Sequence, residues 1–332
     1  MSEHFITHLD IQEVRHLHDI AIPLSKDKRY HLILTGKNGA GKTSVLERLR
    51  DYLKTNSTYD DKNQYDTYLN YLQEPDHEDI QATKNCLYNL GGGIQADIPN
   101  IDELLMLCNK GKFIIAYYPA NRIFALDMPK GPESIHLETY YAPEEGPSRL
   151  FVKYLVDLKI QQAFARNEGD EDVVANVKAW FDRLTDIIKE ILDDDEAELV
   201  FDYRYYSMKI RQSDREYALN ELSDGYSSVL NIVSDLILRM DKKRALNERN
   251  YAYDVEGIVL IDEIETHLHV ELQKTILPFL TKVFPKIQFI VTTHSPFILT
   301  SMEDTIVYDL EKKLMVKDNA LSELLDEIYQ TR

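Results

Sequence analysis

The string GKNGAGKT at 36–43 constrains this chain more than any other feature. It fits the pattern G-x-x-x-x-G-K-[ST] in full and lies where that pattern has a mechanism, between a strand and a helix. The apolar run HLILTG (31–36) stops at glycine and reads as a buried parallel strand. In KTSVLERLRDYL, from Lys42 on, Val45, Leu46, Leu49 and Leu53 fall at helical spacing. Gly36, Gly39 and Gly41, with Asn38 and Ala40 between them, let the backbone turn its N–H groups towards anionic oxygens. The start of the helix, with Ser44 in its first turn, adds a favourable dipole. Lys42 is expected to neutralise β- and γ-phosphate charge, and Thr43 to ligate Mg²⁺ through its hydroxyl. These residues predict a nucleoside triphosphate site.

Two other apolar runs end in residues suited to the same chemistry. GIVLIDE (257–263) closes on two carboxylates. Asp262 is placed to hold the Mg²⁺, and Glu263 to polarise an attacking water. IQFIVTTHSP (287–296) brings His294 to the end of a second strand, within reach of a γ-phosphate or serving the structure alone. His267 and His269 in ETHLH have no third ligand at a spacing that suits a metal.

FIIAYY (113–118) and TIVYDL (305–310) are further buried-strand candidates, and LVFDYRYYSMKI (199–210) alternates like a strand or hairpin arm. Helices are expected at about 148–166, 171–192, 226–249, 270–283 and 320–330, the first two forming an antiparallel pair about the solvated turn NEGDED. Strand–helix alternation implies an α/β sheet with helices on both faces. Residues 51–110, polar and with GGG at 91–93, read as an irregular acidic insertion. The expected organisation is a core from 1–50, 111–130 and 199–332, interrupted by that insertion and by the helical pair 148–198.

The chain of 332 residues has a net charge of −19, unevenly spread. Segments 51–110 and 151–200 each carry −7, whereas 1–50 and 201–250 stand at +2 and +1. The total excludes a surface coated throughout by nucleic acid, but not a local contact on the core. RMDKKRALNER (239–249) offers Arg239, Lys242, Lys243, Arg244 and Arg249 for one. Two cysteines, Cys86 and Cys108, suit a reducing compartment. With no long apolar run and no secretory pattern at Met1–Asp10, a cytoplasmic protein without a membrane span is expected.

Taken in order, five strings resemble the ABC-type ATPases, specifically the SMC/RecF-like branch filed as AAA domains. GKNGAGKT resembles the Walker A motif, LSDGYSS (222–228) the signature, IVLIDE the Walker B, ETHLH the D-loop and TTHSP the switch-histidine motif. LSDGY, DEIETHLH and THSPFIL resemble the stand-alone ATPases related to OLD-family nucleases, and the ATPase subunits of Septu-, PARIS- and retron-type anti-phage systems. The resemblance implies a P-loop fold of mixed sheet and flanking helices, ATP and Mg²⁺ as ligands, and a head-to-tail homodimer or higher oligomer. Ser223 and Gly225 would then meet the γ-phosphate bound by the partner copy. Asp224 and Tyr226 depart from the usual L-S-G-G-[QE]. In YYPANR (117–122), Asn121 or Arg122 would stand for the glutamine that lines such sites.

Two roles follow from the resemblance. One is an ATP-gated sensor and scaffold for a separately encoded effector, a nuclease or toxin, with the acidic insertions as partner surfaces. OLD-type proteins carry a nuclease domain after the ATPase; with 38 residues following His294, none is expected in this sequence. The other is a DNA-maintenance ATPase that clamps duplex DNA.

Overall fold

The computed structural model describes residues 3–73, 80–122, 124–241 and 253–317. Strands β1 (His8–Val14) and β2 (Leu17–Pro23) form an antiparallel hairpin turned by Arg15 and His16. β3 (His31–Thr35) leads through the glycine loop into α1 (Lys42–Ser57). Next come α2 (Tyr59–Tyr71), α3 (Ile80–Asn89), β4 (Ile94–Asp97), α4 (Ile101–Asn109) and β5 (Phe113–Tyr118). The stretch expected to be irregular is thus mostly helical, and β4 pairs with β1 at Ile11 and Ile94 to complete a three-stranded sheet. The glycine run carries the chain hard against its neighbours, for a Cβ on Gly93 would lie 2.3 Å from the Glu13 carbonyl oxygen.

The expected helical pair is present as α5 (Phe151–Glu168) and α6 (Glu171–Leu192). Gly169, left-handed at φ 78°, ends α5, and the Asp170 carboxylate caps α6 by accepting the Val173 N–H at 3.1 Å. An antiparallel meander follows, β6 (Glu198–Asp202), β7 (Ser207–Gln212) and β8 (Arg215–Ala218), and then α7 (Asp224–Asp241). β9 (Glu256–Ile261), α8 (Val270–Val283), β10 (Ile287–Thr292), the short α9 (Pro296–Leu299), β11 (Thr305–Asp309) and β12 (Leu314–Lys317) complete the described chain. The helix expected at 320–330 lies outside the described residues.

The central sheet runs β12-β11-β3-β10-β9-β5, parallel except for the antiparallel edge strand β12. Apart from the edge strand β12, its strands are mostly apolar and buried along almost their whole length, because both faces are covered. Ile33 packs into one core with α5, α6 and α7, whereas Leu32 and Leu34 pack into the other with α1 and the small sheet. Each such buried aliphatic side chain contributes about 1.5–3 kcal/mol. The carboxyl ends of β3, β9 and β10 consequently emerge together on one edge, the position of ligand crevices in open α/β sheets.

The basic run at 239–249 fares differently from expectation. Arg239 is buried on α7, donating to Asp235 Oδ2 at 2.7 Å and to the Ile115 and Ala142 carbonyls, so it is spent inside the fold and not offered to phosphate. Lys242, Lys243, Arg244 and Arg249 lie outside the described residues.

Candidate active site

The loop between β3 and α1 turns through residues with positive φ, at 135° for Gly36, 85° for Gly39 and 94° for Gly41. At Gly41 a Cβ would also come 2.8 Å from Leu17 Cδ1 of β2, a side-chain tip that can give way, so it is the left-handed conformation that calls for glycine there. Lys42 lies back across the loop, its ammonium donating to the carbonyls of Gly36 at 2.9 Å and Lys37 at 3.2 Å. Burial lowers the Lys42 pKa, and the carboxylates of Glu263, Glu265, Asp262 and Asp309 oppose that shift.

A continuous hydrogen-bond chain ties this loop to the next two strands. The Thr43 hydroxyl donates to Asp262 Oδ2 at 2.8 Å, and the Thr292 hydroxyl to Asp262 Oδ1 at 2.6 Å. The Glu263 N–H then donates to Thr292 Oγ1 at 2.7 Å. Asp262 is buried while Glu263 is half-exposed, and Glu263 sits at φ 43°, a left-handed conformation uncommon for a residue with a side chain. The His294 N–H donates to Glu265 Oε1.

A cleft of about 210 Å³ opens above this chain. One wall is formed by Asn38, Gly39, Gly41, Lys42, Thr43 and Ser44, the other by Glu263 and His294, with Asp262 beneath, reached through Thr43. Gly36 and Ala40, also expected at the nucleotide, do not line the cleft; Ala40 is buried, its Cβ 3.0 Å from where a Cβ on Gly36 would lie. Three distant stretches of sequence therefore meet at one cleft. Arg15 and His16 at the tip of the β1–β2 hairpin also line the cleft, and the motif reading missed them. Their one sequence signal is the alternation of Leu9, Ile11, Ile20 and Ile22 about that turn.

Ser223 and Gly225 stand outside this cleft. Ser223, just before α7, is exposed with Asp224, and its carbonyl accepts the Ser227 N–H at 2.9 Å. Gly225 is buried against the segment after β9, where a Cβ would meet the His267 carbonyl oxygen at 2.8 Å. His269 accepts the Leu272 N–H and so caps α8, and it packs edge-on to Tyr226 at 5.9 Å. Among the described residues no group of three or more His, Cys, Asp or Glu is arranged to hold a metal, and no helix is long and apolar enough to cross a membrane. Neither Asn121 nor Arg122 lines the cleft. Asn121 is exposed, and Arg122 points into the protein, where its guanidinium is taken up by backbone carbonyls and Ser228.

Comparison with known proteins bears on the same regions. The family described as "AAA domain, putative AbiEii toxin, Type IV TA system" matches residues 147–300, which hold the signature, Walker B and histidine strings. The Septu protein PtuA of Bacillus mycoides (strain KBAB4) is 26% identical over 321 residues, 91% of this chain and 40% of that protein. The "Retron Vc95 probable ATPase" of Vibrio cholerae serotype O1 biovar El Tor is 32% identical over 150 residues, 44% of this chain and 27% of that protein. The chain thus spans less than half the length of these curated relatives. The crystal structure of an SMC head bound to the C-winged helix domain of ScpA has a TM-score of 0.48 at 10% identity, covering 96% of this chain and 99% of that one. In its five ordered motifs and in sequence along most of its length, the chain resembles the ABC-type ATPases of the Septu and retron kind.

Proposed function

We propose that this chain binds ATP with Mg²⁺ and hydrolyses it, that two copies pair head to tail to do so, and that the paired state controls a separately encoded effector, a nuclease or toxin. The observation that carries the reading is the convergence of Lys42, Thr43 and Ser44 with Glu263 and His294 in one cleft, over an Asp262 already bonded to Thr43. The Thr43 hydroxyl and the Asp262 carboxylate are hard oxygen donors, the set that Mg²⁺ prefers. Held there, Mg²⁺ would neutralise charge on the β- and γ-phosphates.

The residues divide the work. Loop N–H groups and the Lys42 ammonium hold the phosphates. Glu263 orients a water and accepts its proton as the water oxygen bonds to the γ-phosphorus. The bond from that phosphorus to the bridging oxygen breaks, and its electron pair leaves with ADP. His294 donates a hydrogen bond to a γ-phosphate oxygen. Ser223 and Gly225 do not line their own cleft; in this reading they serve the ATP of the second copy, and hydrolysis stays slow until two copies meet. The named relatives, a Septu protein and a retron ATPase, support an effector-linked role, with the acidic stretches 51–110 and 148–198 as candidate partner surfaces.

The test is Glu263→Gln in the purified chain, with turnover and mass by light scattering followed together. ATP binding is expected to persist, turnover to fall roughly 100-fold or more, and ATP to hold a dimer or larger species. Wild-type turnover, or a monomer with ATP bound, would overturn the reading.

A further inference from the structure

Arg122 leaves β5 and turns inward, buried to 7% exposure. Its guanidinium makes five hydrogen bonds with three separate parts of the chain. Nη1 donates to the Pro119 carbonyl at 3.1 Å and the Asp262 carbonyl at 2.7 Å. Nη2 donates to the carbonyls of Glu263 at 3.2 Å and Ile264 at 3.4 Å. Nε donates to Ser228 Oγ on α7 at 3.1 Å. Burial lowers its pKa to about 10, against the carboxylates of Asp262, Glu265 and Glu263, so it stays charged at neutral pH.

This places Arg122 opposite Thr292 around the Walker B turn. The N–H groups of Glu263 and Ile264 are held from the β10 side, by Thr292 Oγ1 at 2.7 Å and the Thr292 carbonyl at 3.1 Å. Their carbonyls are held from the other side by the one guanidinium, with a further bond from the Thr266 N–H to Glu263 O at 2.9 Å. Glu263 at φ 43° and His267 at φ 67° are conformations that persist only when their surroundings enforce them. The planar fork of an arginine fits several carbonyls at once, as the point charge of a lysine does not. Ser228, the remaining partner, lies one helical turn after Gly225, which itself rests on the His267 carbonyl. The start of α7 is therefore joined to the Glu263 turn at two points.

We propose that Arg122 is a positioning residue that fixes the backbone of Glu263 and links it to the signature helix, so that seating Ser223 and Gly225 on a second copy's nucleotide sets this copy's own Glu263 for hydrolysis. The inference rests on the role assigned to Glu263 above. A displacement of the start of α7 is passed through Ser228 and the guanidinium to the carbonyls of 262–264, and hence to the direction in which the Glu263 carboxylate points.

Arg122→Lys, Ser228→Ala and the double variant, assayed for ATP affinity and turnover beside Glu263→Gln, test this. Arg122→Lys is expected to lower kcat about 10- to 100-fold with ATP affinity within about twofold, the signature of lost orientation and not lost binding. Ser228→Ala is expected to lower kcat about threefold or more, and the double variant to be no slower than Arg122→Lys alone, because both remove one link. An unchanged kcat in Arg122→Lys, a kcat loss matched by lost affinity, or full additivity in the double variant would each overturn the inference. Should Arg122→Lys fail to fold, Ser228→Ala decides alone, and an unchanged kcat there overturns it. If Glu263→Gln turns over like wild type, the fault lies with the role of Glu263. If Glu263→Gln is inactive while the Arg122 and Ser228 variants are normal, only the present inference falls.

Discussion

The two halves of the proposed ATP site are built by opposite means. The half around the glycine loop is anchored in a sheet buried on both faces, and Thr43, Asp262, Thr292 and the Glu263 backbone form one unbroken hydrogen-bond chain. The half around Ser223 presents exposed side chains, Ser223 and Asp224 on a helix start and His267 on the positive-φ turn against which that start rests. The first half is pre-organised within one copy, which suits the binding of a charged ligand. The second is displayed outward and held by a small number of contacts, which suits a surface completed by another molecule. Substitutions in the two halves should therefore separate binding from turnover.

Lys42→Ala attacks the first half and should have the greatest consequence. It removes the one ammonium in the cleft wall, and ATP affinity measured by calorimetry is expected to fall roughly 100-fold or more, as loss of a charge-assisted contact to phosphate does. Near-normal affinity would mean that the loop amides suffice and that the first half is less dependent on charge than its geometry implies. Ser223→Arg attacks the second half. ATP affinity should stay within about twofold, while turnover falls about 10-fold or more, because bulk and charge there obstruct only the approach of another copy. Mixing Lys42→Ala chains with Ser223→Arg chains should restore part of the turnover, since one composite site then has both halves intact. Failure of mixing to restore any would break the head-to-tail arrangement.

Gly225→Ala tests how tightly the displayed half is seated. The added methyl would meet the His267 carbonyl oxygen at 2.8 Å, and backbone on both sides must shift. A loss of about 1–3 kcal/mol in denaturant unfolding is expected, with turnover reduced more than ATP affinity. An unaltered stability would show that α7 can move off the 263–269 turn freely, and the coupling through Ser228 would then have to act alone.

The same contrast explains what was legible in the sequence. β3, β5, β9, β10 and β11 stand out as continuous apolar runs because helices or the small sheet cover both their faces. β1, β2 and β4 pair in a sheet with one face exposed, so their apolar residues merely alternate, and the Arg15–His16 turn they carry into the cleft went unread. α2 has no buried residue, so it lacks the periodicity that marks a helix, and the stretch 51–110 looked irregular for that reason. Glycines, lysine and carboxylates at strand ends announce their chemistry through spacing. The inward course of Arg122 does not, because a cation after a strand reads the same whether it meets solvent or four carbonyls.

His31 on β3 offers the mildest test, confined to the pre-organised half. It is buried beside Phe289, whose N–H donates to its Nδ1 at 3.0 Å, so the ring is held neutral with that nitrogen bare. Burial first and the Arg29 charge second lower its pKa from 6.5 to about 4, with Asp304 opposing. A depressed folded value means that the unfolded chain takes up the proton first on acidification. Stability from this group is full above pH 6.5 and is lost as the pH falls towards about 4. Between pH 7 and 5.5 the loss should amount to about 1 kcal/mol. His31→Asn keeps an acceptor for the Phe289 N–H and cannot titrate, so the difference in unfolding free energy between wild type and variant should shrink by that amount over the same interval. A difference that does not change with pH would show that β3 admits a charged imidazole, and that the glycine-loop half is less rigid at its root than its hydrogen bonds imply.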